Sequence, residues 1–340
     1  MKLNSNKSTK ITSLVNNKWG GGRSGIVNLG QTCYMSTAIQ LLLQIKELKE
    51  LFLNDNYLED LNISKINEYK FCNEFSRLMK GMWEENCVVQ PVSFRKSLIT
   101  LDNKYSGYEQ HDLSETLGII IDSLHIGISY EANISYEGVA KNKLDKLMIN
   151  SIKKWSNIYK NESSSILDLF YGQYILKINN KTSGVKKISY NFDPFNILTL
   201  PINNCKNIYD CLDKFILPEY LDDEKKITSS LKLWKSPQYL IIQLKRFDGL
   251  TKNFSFIEYP VDNLNLNKYN IGYDKDNSIY ELIGVGIHLG TDNNGHYISL
   301  TKHNEEWYEF DDSNIYKISN EDINKKIINK NAYILIYKKY

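Results

Sequence analysis

The sequence predicts an α+β protein on two observations: helical apolar spacing dominates residues 25–165, and strand-like segments dominate residues 166–340. Because the strands follow the helices instead of alternating with them, a β-α-β chain is excluded. In the first half, Cys33–Leu43 and Leu113–Leu124 carry apolar residues at helical spacing. Residues 141–160 do the same with Leu144, Leu147, Met148, Ile152 and Trp155. In the second half, FYGQYILKI, FNILTLPI, YLIIQLKRF, YELIGVGIHL, HYISLTK and NAYILIYKK are rich in β-branched and aromatic residues and bounded by turn formers. The Asn-rich stretch 262–278 reads as surface loop. Residues 1–24, ending in a glycine run, read as a flexible tail, and residues 25–340 as one large domain.

Composition narrows the class. Hydrophobic residues make up 42% of the 340 and suffice for a sizeable core, while a mean hydropathy of -0.42 argues against a membrane protein. No stretch approaches the roughly 20 apolar residues of a spanning helix, and the polar N-terminus lacks a signal-peptide core. An intracellular protein is therefore expected, in cytoplasm or nucleus. A net charge of +2 gives no sign of nucleic-acid binding. The five cysteines, Cys33, Cys72, Cys87, Cys205 and Cys211, are odd in number and form no C-x-x-C pair. That pattern suggests neither a disulfide framework nor a zinc ribbon. Apart from Cys33, they read as small buried hydrophobes.

Cys33 differs because of its neighbours. Residues 25–36 read GIVNLGQTCYMS, with a turn-forming Gly30, Thr32 as a candidate N-cap, and an apolar helix opening at Cys33. A thiol attacks as thiolate, and an ordinary thiol titrates near 8.5, too high for neutral pH. A helix N-terminus favours the anion, and the same N–H groups can receive an oxyanion, beside a side-chain amide from Asn28. On spacing alone, a buried cysteine opening a core helix is an equal reading.

A thiolate needs a base, and the base an orienting acceptor. Of the five histidines, His296 stands beside Gly295 where a turn-rich loop enters the strand HYISLTK. The following EWYEF should return as a hairpin, bringing Asp311 or Asp312 back beside His296 to fix its tautomer. Alone, this is also readable as a surface hairpin with a stray histidine. His288 would line the same groove if its strand faces that way; His111, His125 and His303 carry no functional signal.

Together these segments resemble the ubiquitin-specific protease family of deubiquitinases. The family's cysteine box, approximately GLxNLGNTCYMNS, is similar to GIVNLGQTCYMST at 25–37. Its QQDA-x-EFL motif is loosely matched by QHDLSETL at 110–117, and its histidine box by His288-Leu289-Gly290, Gly295-His296-Tyr297 and Trp307–Asp312. LIIQLKRF and AYILIYKK also look like family strands. The resemblance runs from about Gly25 to Lys339.

It implies a papain-like fold with a helical thumb (about 25–165) and β-rich palm and fingers (about 166–340), the site lying between thumb and palm. By motif, Cys33 is nucleophile, His296 base, Asp311 orienting carboxylate, Asn28 an oxyanion donor and Asp312 an auxiliary group. Gln110, Asp112, Glu115, Gly295 and Tyr297 fall at substrate-binding positions. Asp112 and Glu115 would face an arginine-bearing tail. The implied partners are ubiquitin and ubiquitinated proteins, with no cofactor and no catalytic metal. The sequence departs where many members carry two C-x-x-C pairs for zinc: its finger segments hold no cysteine, so short fingers without structural zinc are expected. Gln31 replaces an Asn and His111 a Gln. The alternatives are a silent ubiquitin-binding pseudoenzyme and a protease for another ubiquitin-like modifier.

Overall fold

The computed structural model describes residues 21–133, 137–182, 186–248, 251–291 and 295–340. Helices come first: Cys33–Leu43, Lys46–Leu53, Ile66–Glu84, Val92–Leu101, Leu113–Gly127 and Lys143–Tyr159 precede the long strands. The Cys33–Leu43 helix is buried along its whole length, mostly apolar, with its buried Gln40 Nε2 donating to Ser24 O at 2.7 Å. It lies across the Gly295–His303 and Ile279–Gly290 strands and beside the Leu113–Gly127 helix. Gly286 permits that approach: a Cβ there would sit 2.7 Å from Leu113 Cδ2 and 3.3 Å from Leu41 Cδ1. A side chain at 286 would push both helices off the sheet.

The central sheet runs in the order Asn314–Lys317, Glu306–Asp311, Gly295–His303, Ile279–Gly290, Ala332–Lys339, Tyr239–Lys245, Ile197–Pro201, with Leu264–Asn265 paired to Ile279–Gly290. Its ladders are antiparallel except for the parallel pairing of Ile197–Pro201 with Tyr239–Lys245. One apolar core fills the space between helices and this sheet, taking in Tyr297, Tyr333 and Ile334. A second core covers the opposite face around Leu198, Leu240 and Leu335. A separate sheet, ordered Lys187–Phe195, Gly172–Asn180, Ile227–Lys235, Glu219–Tyr220, forms the fingers. Its strands are joined by antiparallel ladders, with one register shift at Gln173/Tyr174. Cys205 and Cys211 lie outside it, in the second core.

The structure corrects several expectations. Residues 21–24 are not a loose tail. Ser24 is fully buried and its Oγ donates to Met82 O at 2.8 Å, while Arg23 Nη1 donates to Tyr308 OH at 3.1 Å. The segment is thereby tied to thumb and palm at once; the rest of the expected tail lies outside the described residues. Cys87 is exposed, in the short stretch between the Ile66–Glu84 helix and the Val88–Val89 strand. The segment SILDLF is helical over Ser165–Phe170, so the change to strands comes at Gly172. A second helix, Ile208–Phe215, interrupts the strand-rich half, started by a capping box between Asn207 and Asp210. The stretch 262–278 is not all surface: Leu264, Leu266, Tyr269 and Asn270 are buried, and Asn270 Nδ2 donates to the hydroxyls of Ser236 (3.0 Å) and Ser278 (2.9 Å).

Candidate active site

The loop before Cys33 is folded around one oxygen. Asn28 Oδ1 accepts from the N–H of Gly30 (3.0 Å), the N–H of Thr32 (3.1 Å) and the Thr32 hydroxyl (3.2 Å). Gly30 and Gln31 both adopt positive φ, at 97° and 56°, to make the turn. Thr32 stands at the N-cap position, but its side chain does not cap: Oγ1 faces back and accepts from Leu29 N at 2.8 Å. The hydroxyl therefore rigidifies the loop and leaves the first helical N–H groups free of it. Cys33 is the first helical residue, so its N–H has no carbonyl one turn below, and its sulfur lies at the positive end of the helix.

The facing group comes from the palm. His296, second residue of the Gly295–His303 strand, places Nε2 2.6 Å from Asp311 Oδ1, leaving the other ring nitrogen for the thiol. The ladder between this strand and Glu306–Asp311 ends at Ser299 opposite Phe310. Asp311 therefore reaches diagonally across the open end of the hairpin. Contact with Cys33, reinforced by the Asp311 hydrogen bond, raises the imidazole to about 9 against the opposing effect of burial. His296 thus stays protonated at neutral pH, beside the Cys33 sulfur. Side chains of His296 and Asp311 are 37% and 40% exposed while Cys33 is 1% exposed, so the sulfur is recessed behind them.

The remaining sequence-derived residues divide by environment. Asp312 Oδ2 accepts from Asn28 Nδ2 at 2.9 Å, its Oδ1 is buried without a partner, and burial raises its carboxyl above the usual range. Gln110 lies in the cleft: its Nε2 donates to Gly295 O and its Oε1 accepts from Gly295 N at 3.3 Å. Asp112 caps the Leu113–Gly127 helix through Glu115 N at 3.0 Å, and its other oxygen accepts from Tyr333 OH. Glu115 is exposed and ion-paired with Lys104 at 2.6 Å. The Tyr297 ring is buried between His288 and Tyr333, so a substrate would meet its backbone and not the ring, a correction to the expected contact. His288 is also buried, against Phe247 and Tyr297, and desolvation lowers it to about 4. It supports the groove floor from beneath. His111 packs edge-on against Tyr34 and Tyr105.

Among the described residues, His296, Asp311 and Asp312 bring one ligand atom each within 4.8 Å of one another, the spacing a metal ion would need. Two contacts run through the group: Asp311 Oδ1 meets the imidazole Nε2, and Asp312 Oδ2 accepts from Asn28, while Asp312 Oδ1 has no hydrogen-bond partner. No described helix is long and apolar enough to cross a membrane.

A recessed cysteine at a helix N-terminus, facing a carboxylate-bound histidine on a sheet, places the chain in the papain-like α+β class. Comparison with known proteins agrees. The family described as Ubiquitin carboxyl-terminal hydrolase matches residues 24–337. The chain is 30% identical to ubiquitin carboxyl-terminal hydrolase Usp2 of Drosophila melanogaster, over 100% of this chain and 37% of that protein. It is 30% identical to ubiquitin carboxyl-terminal hydrolase 4 of Saccharomyces cerevisiae, over 92% of this chain and 39% of that protein. It thus spans less than half the length of these two relatives. Among solved structures, the SAGA Ubp8/Sgf11/Sus1/Sgf73 DUB module bound to ubiquitin aldehyde matches with a TM-score of 0.73 and 26% identity, over 96% of this chain and 72% of that one. The chain belongs to the ubiquitin carboxyl-terminal hydrolase family.

Proposed function

We propose that this chain is a deubiquitinating cysteine peptidase that hydrolyses the peptide or isopeptide bond after the C-terminal glycine of ubiquitin. The observation that carries the reading is the placement of His296 between the Cys33 thiol and Asp311, with its imidazole raised to about 9 by both. Cys33 is the nucleophile: its thiolate attacks the glycine carbonyl, and the C–S bond forms as the carbonyl π-electrons move to oxygen. Asn28 and the Cys33 N–H receive that oxyanion, a contribution typically worth a factor of about 10²–10³ per donor. His296 then gives its proton to the departing amine as the C–N bond breaks, leaving a thioester. In its neutral form the same imidazole takes a proton from water, whose oxygen displaces the thiolate and releases ubiquitin. Asp311 stabilises the imidazolium in both halves.

The recessed sulfur favours a slender extended tail such as one ending in glycines, and the relatives are named ubiquitin carboxyl-terminal hydrolases. Asp112 and Glu115, at the start of the Leu113–Gly127 helix just beyond Gln110, are suited to basic residues further back in that tail, and Gly295 offers backbone. Residues 25–340 form the catalytic domain, working inside the cell on ubiquitinated proteins, with fingers held together by strand pairing and without structural zinc. The test is reaction of the purified chain with ubiquitin bearing a C-terminal thiol-reactive warhead, beside Cys33→Ser. An adduct lost in the variant supports the reading. No adduct from a folded protein that still binds ubiquitin points to a silent binder, and no binding at all points to another modifier.

A further inference from the structure

We infer that Gln110 is a positioning residue, whose amide clasps the backbone of Gly295 across the cleft and so fixes His296 relative to Cys33; this rests on Cys33 and His296 forming the reactive pair. The clasp has two points. Gln110 Nε2 donates to Gly295 O, and Gly295 N donates to Gln110 Oε1 at 3.3 Å. A primary amide has the donor and acceptor edges of a peptide group, so it grips a backbone residue as a neighbouring strand would. Two bonds fix orientation where one leaves a swivel. The held residue immediately precedes His296. On its other side, Gly295 rests against His288: a Cβ at 295 would lie only 2.0 Å from His288 Nε2. Gly295 is therefore pinned between a buried ring and the Gln110 amide.

Gln110 is itself well anchored. The next residue, His111, sits edge-on to Tyr34 and Tyr105 with ring centroids 5.2 and 4.8 Å away, and Tyr34 directly follows Cys33. Asp112 then caps the Leu113–Gly127 helix. The clasp thus links Gln110, just before the Leu113–Gly127 helix and packed through His111 on the nucleophile segment, to Gly295 on the histidine strand, 185 residues away in sequence. Gln110 Nε2 also stands 4.0 Å from Cys33 Sγ, a donor facing the sulfur where negative charge is to be held. The geometry does two things together: it sets the imidazole's position and it stabilises the thiolate.

The experiment is alkylation of Cys33 by iodoacetamide across pH 5–9, followed by peptide mass spectrometry, in wild type, Gln110→Ala and Gln110→Glu, with melting temperatures recorded. This requires no ubiquitin, and exposed Cys87 serves as reference within the same sample. Gln110→Ala loses both bonds; the alkylation profile should move to higher pH, with Cys33 reacting about tenfold more slowly near neutrality, the equivalent of one pH unit. Gln110→Glu keeps the acceptor for Gly295 N–H but replaces the donor by a carboxylate beside the sulfur, so its profile should move further. On a ubiquitin substrate, kcat should fall about tenfold with KM within about twofold. Superimposed alkylation profiles overturn the inference, as does a raised KM with unchanged kcat, which would make Gln110 a substrate contact. Shifted profiles without turnover of ubiquitin would uphold the clasp and remove the proposed substrate.

Discussion

Asn28 and Asp312 are joined by a hydrogen bond of 2.9 Å from Nδ2 to Oδ2, across the seam between the nucleophile loop and the end of the hairpin. The same seam is closed by Ile26 N donating to Asp312 O at 2.8 Å. Since Asn28 Oδ1 is already taken by Gly30 and Thr32, the amide has one orientation, and Asp312 sets where its N–H bonds point. Asn28→Ala is expected to lower kcat by roughly 10²-fold, as loss of an oxyanion donor does. Asp312 itself sits at a φ of 50°, a conformation Asn tolerates better than Ala. Asp312→Asn should therefore stay within about fivefold of wild type, the worth of one hydrogen bond, while Asp312→Ala falls well below it. Steady-state rates of the two Asp312 variants check this; equal rates would show that the carboxylate does not aim Asn28.

The pH dependence follows from His296. Its pKa is raised to about 9, so the imidazolium survives through neutral pH and is lost as pH rises through 9. Turnover that needs this imidazolium should therefore hold to about pH 9 and then decline. Removing Asp311 takes away the second-largest favourable influence but leaves Cys33, so in Asp311→Ala the alkaline limb should move down, though not all the way to the ordinary value near 6.5. The rate should drop by roughly 10²-fold, less than for His296→Ala, because Asp312 lies in the same cluster and can partly replace the carboxylate. A pH–rate profile measures both; an alkaline limb unmoved in Asp311→Ala would remove Asp311 as the orienting group.

Two kinds of information decided what the sequence disclosed. The Cys33 helix and the hairpin joining His296 to Asp311 rest on local periodicity and short turns, and the ordered motifs reinforced them. The Gln110–Gly295 clasp and the Asn28–Asp312 bond join residues 185 and 284 apart, and nothing local marks them. Thr32 shows the limit of propensity: it occupies the expected cap position, yet its hydroxyl is drawn to Leu29 N by the tighter loop around Asn28. Gly21–Ser24 looked loose because three glycines carry no apolar pattern. Gly22 instead has a φ of 60° and lies under Trp83, where a Cβ would be 2.4 Å from the ring, a fit that only tertiary packing reveals. Tyr297 belongs to a functional motif but points into the core, since neighbours along a strand face opposite ways and His296 takes the cleft side.

Acid should destabilise the fold through its buried histidines. His125, His288 and His303 are each lowered by desolvation to about 4. Their unfolded counterparts titrate near 6.5, so between pH 6.5 and 4 the unfolded chain binds more protons, and stability is lost as pH falls through that window. A shift of this size corresponds to at most about 3 kcal/mol per histidine. His125, which hydrogen-bonds Ser164 through Nδ1 at 2.7 Å, is remote from the cleft and isolates the effect. Melting temperatures from pH 7.5 to 4.5 should fall steeply in wild type and less steeply in His125→Gln. Parallel curves for the two proteins would mean that His125 does not carry its share.

Gly295 offers the most direct test that the groove floor positions the base. Its φ lies outside the left-handed region, so alanine is allowed by the backbone, and the obstacle is His288 Nε2, 2.0 Å from the added Cβ. His288 cannot swing aside, because its ring is packed between Phe247 and Tyr297. The strain must then pass to the neighbouring His296, and a displacement of about 1 Å in a reacting group can cost on the order of 10²-fold in rate. Gly295→Ala should therefore lose roughly that factor in kcat. Replacing His288 with alanine in the same chain makes room for the methyl group, and the double variant should be faster than Gly295→Ala alone even if its melting temperature is lower from the cavity. A double variant no faster than the single one would mean that the damage does not run through His288, and that the groove floor leaves the imidazole free to find its own position.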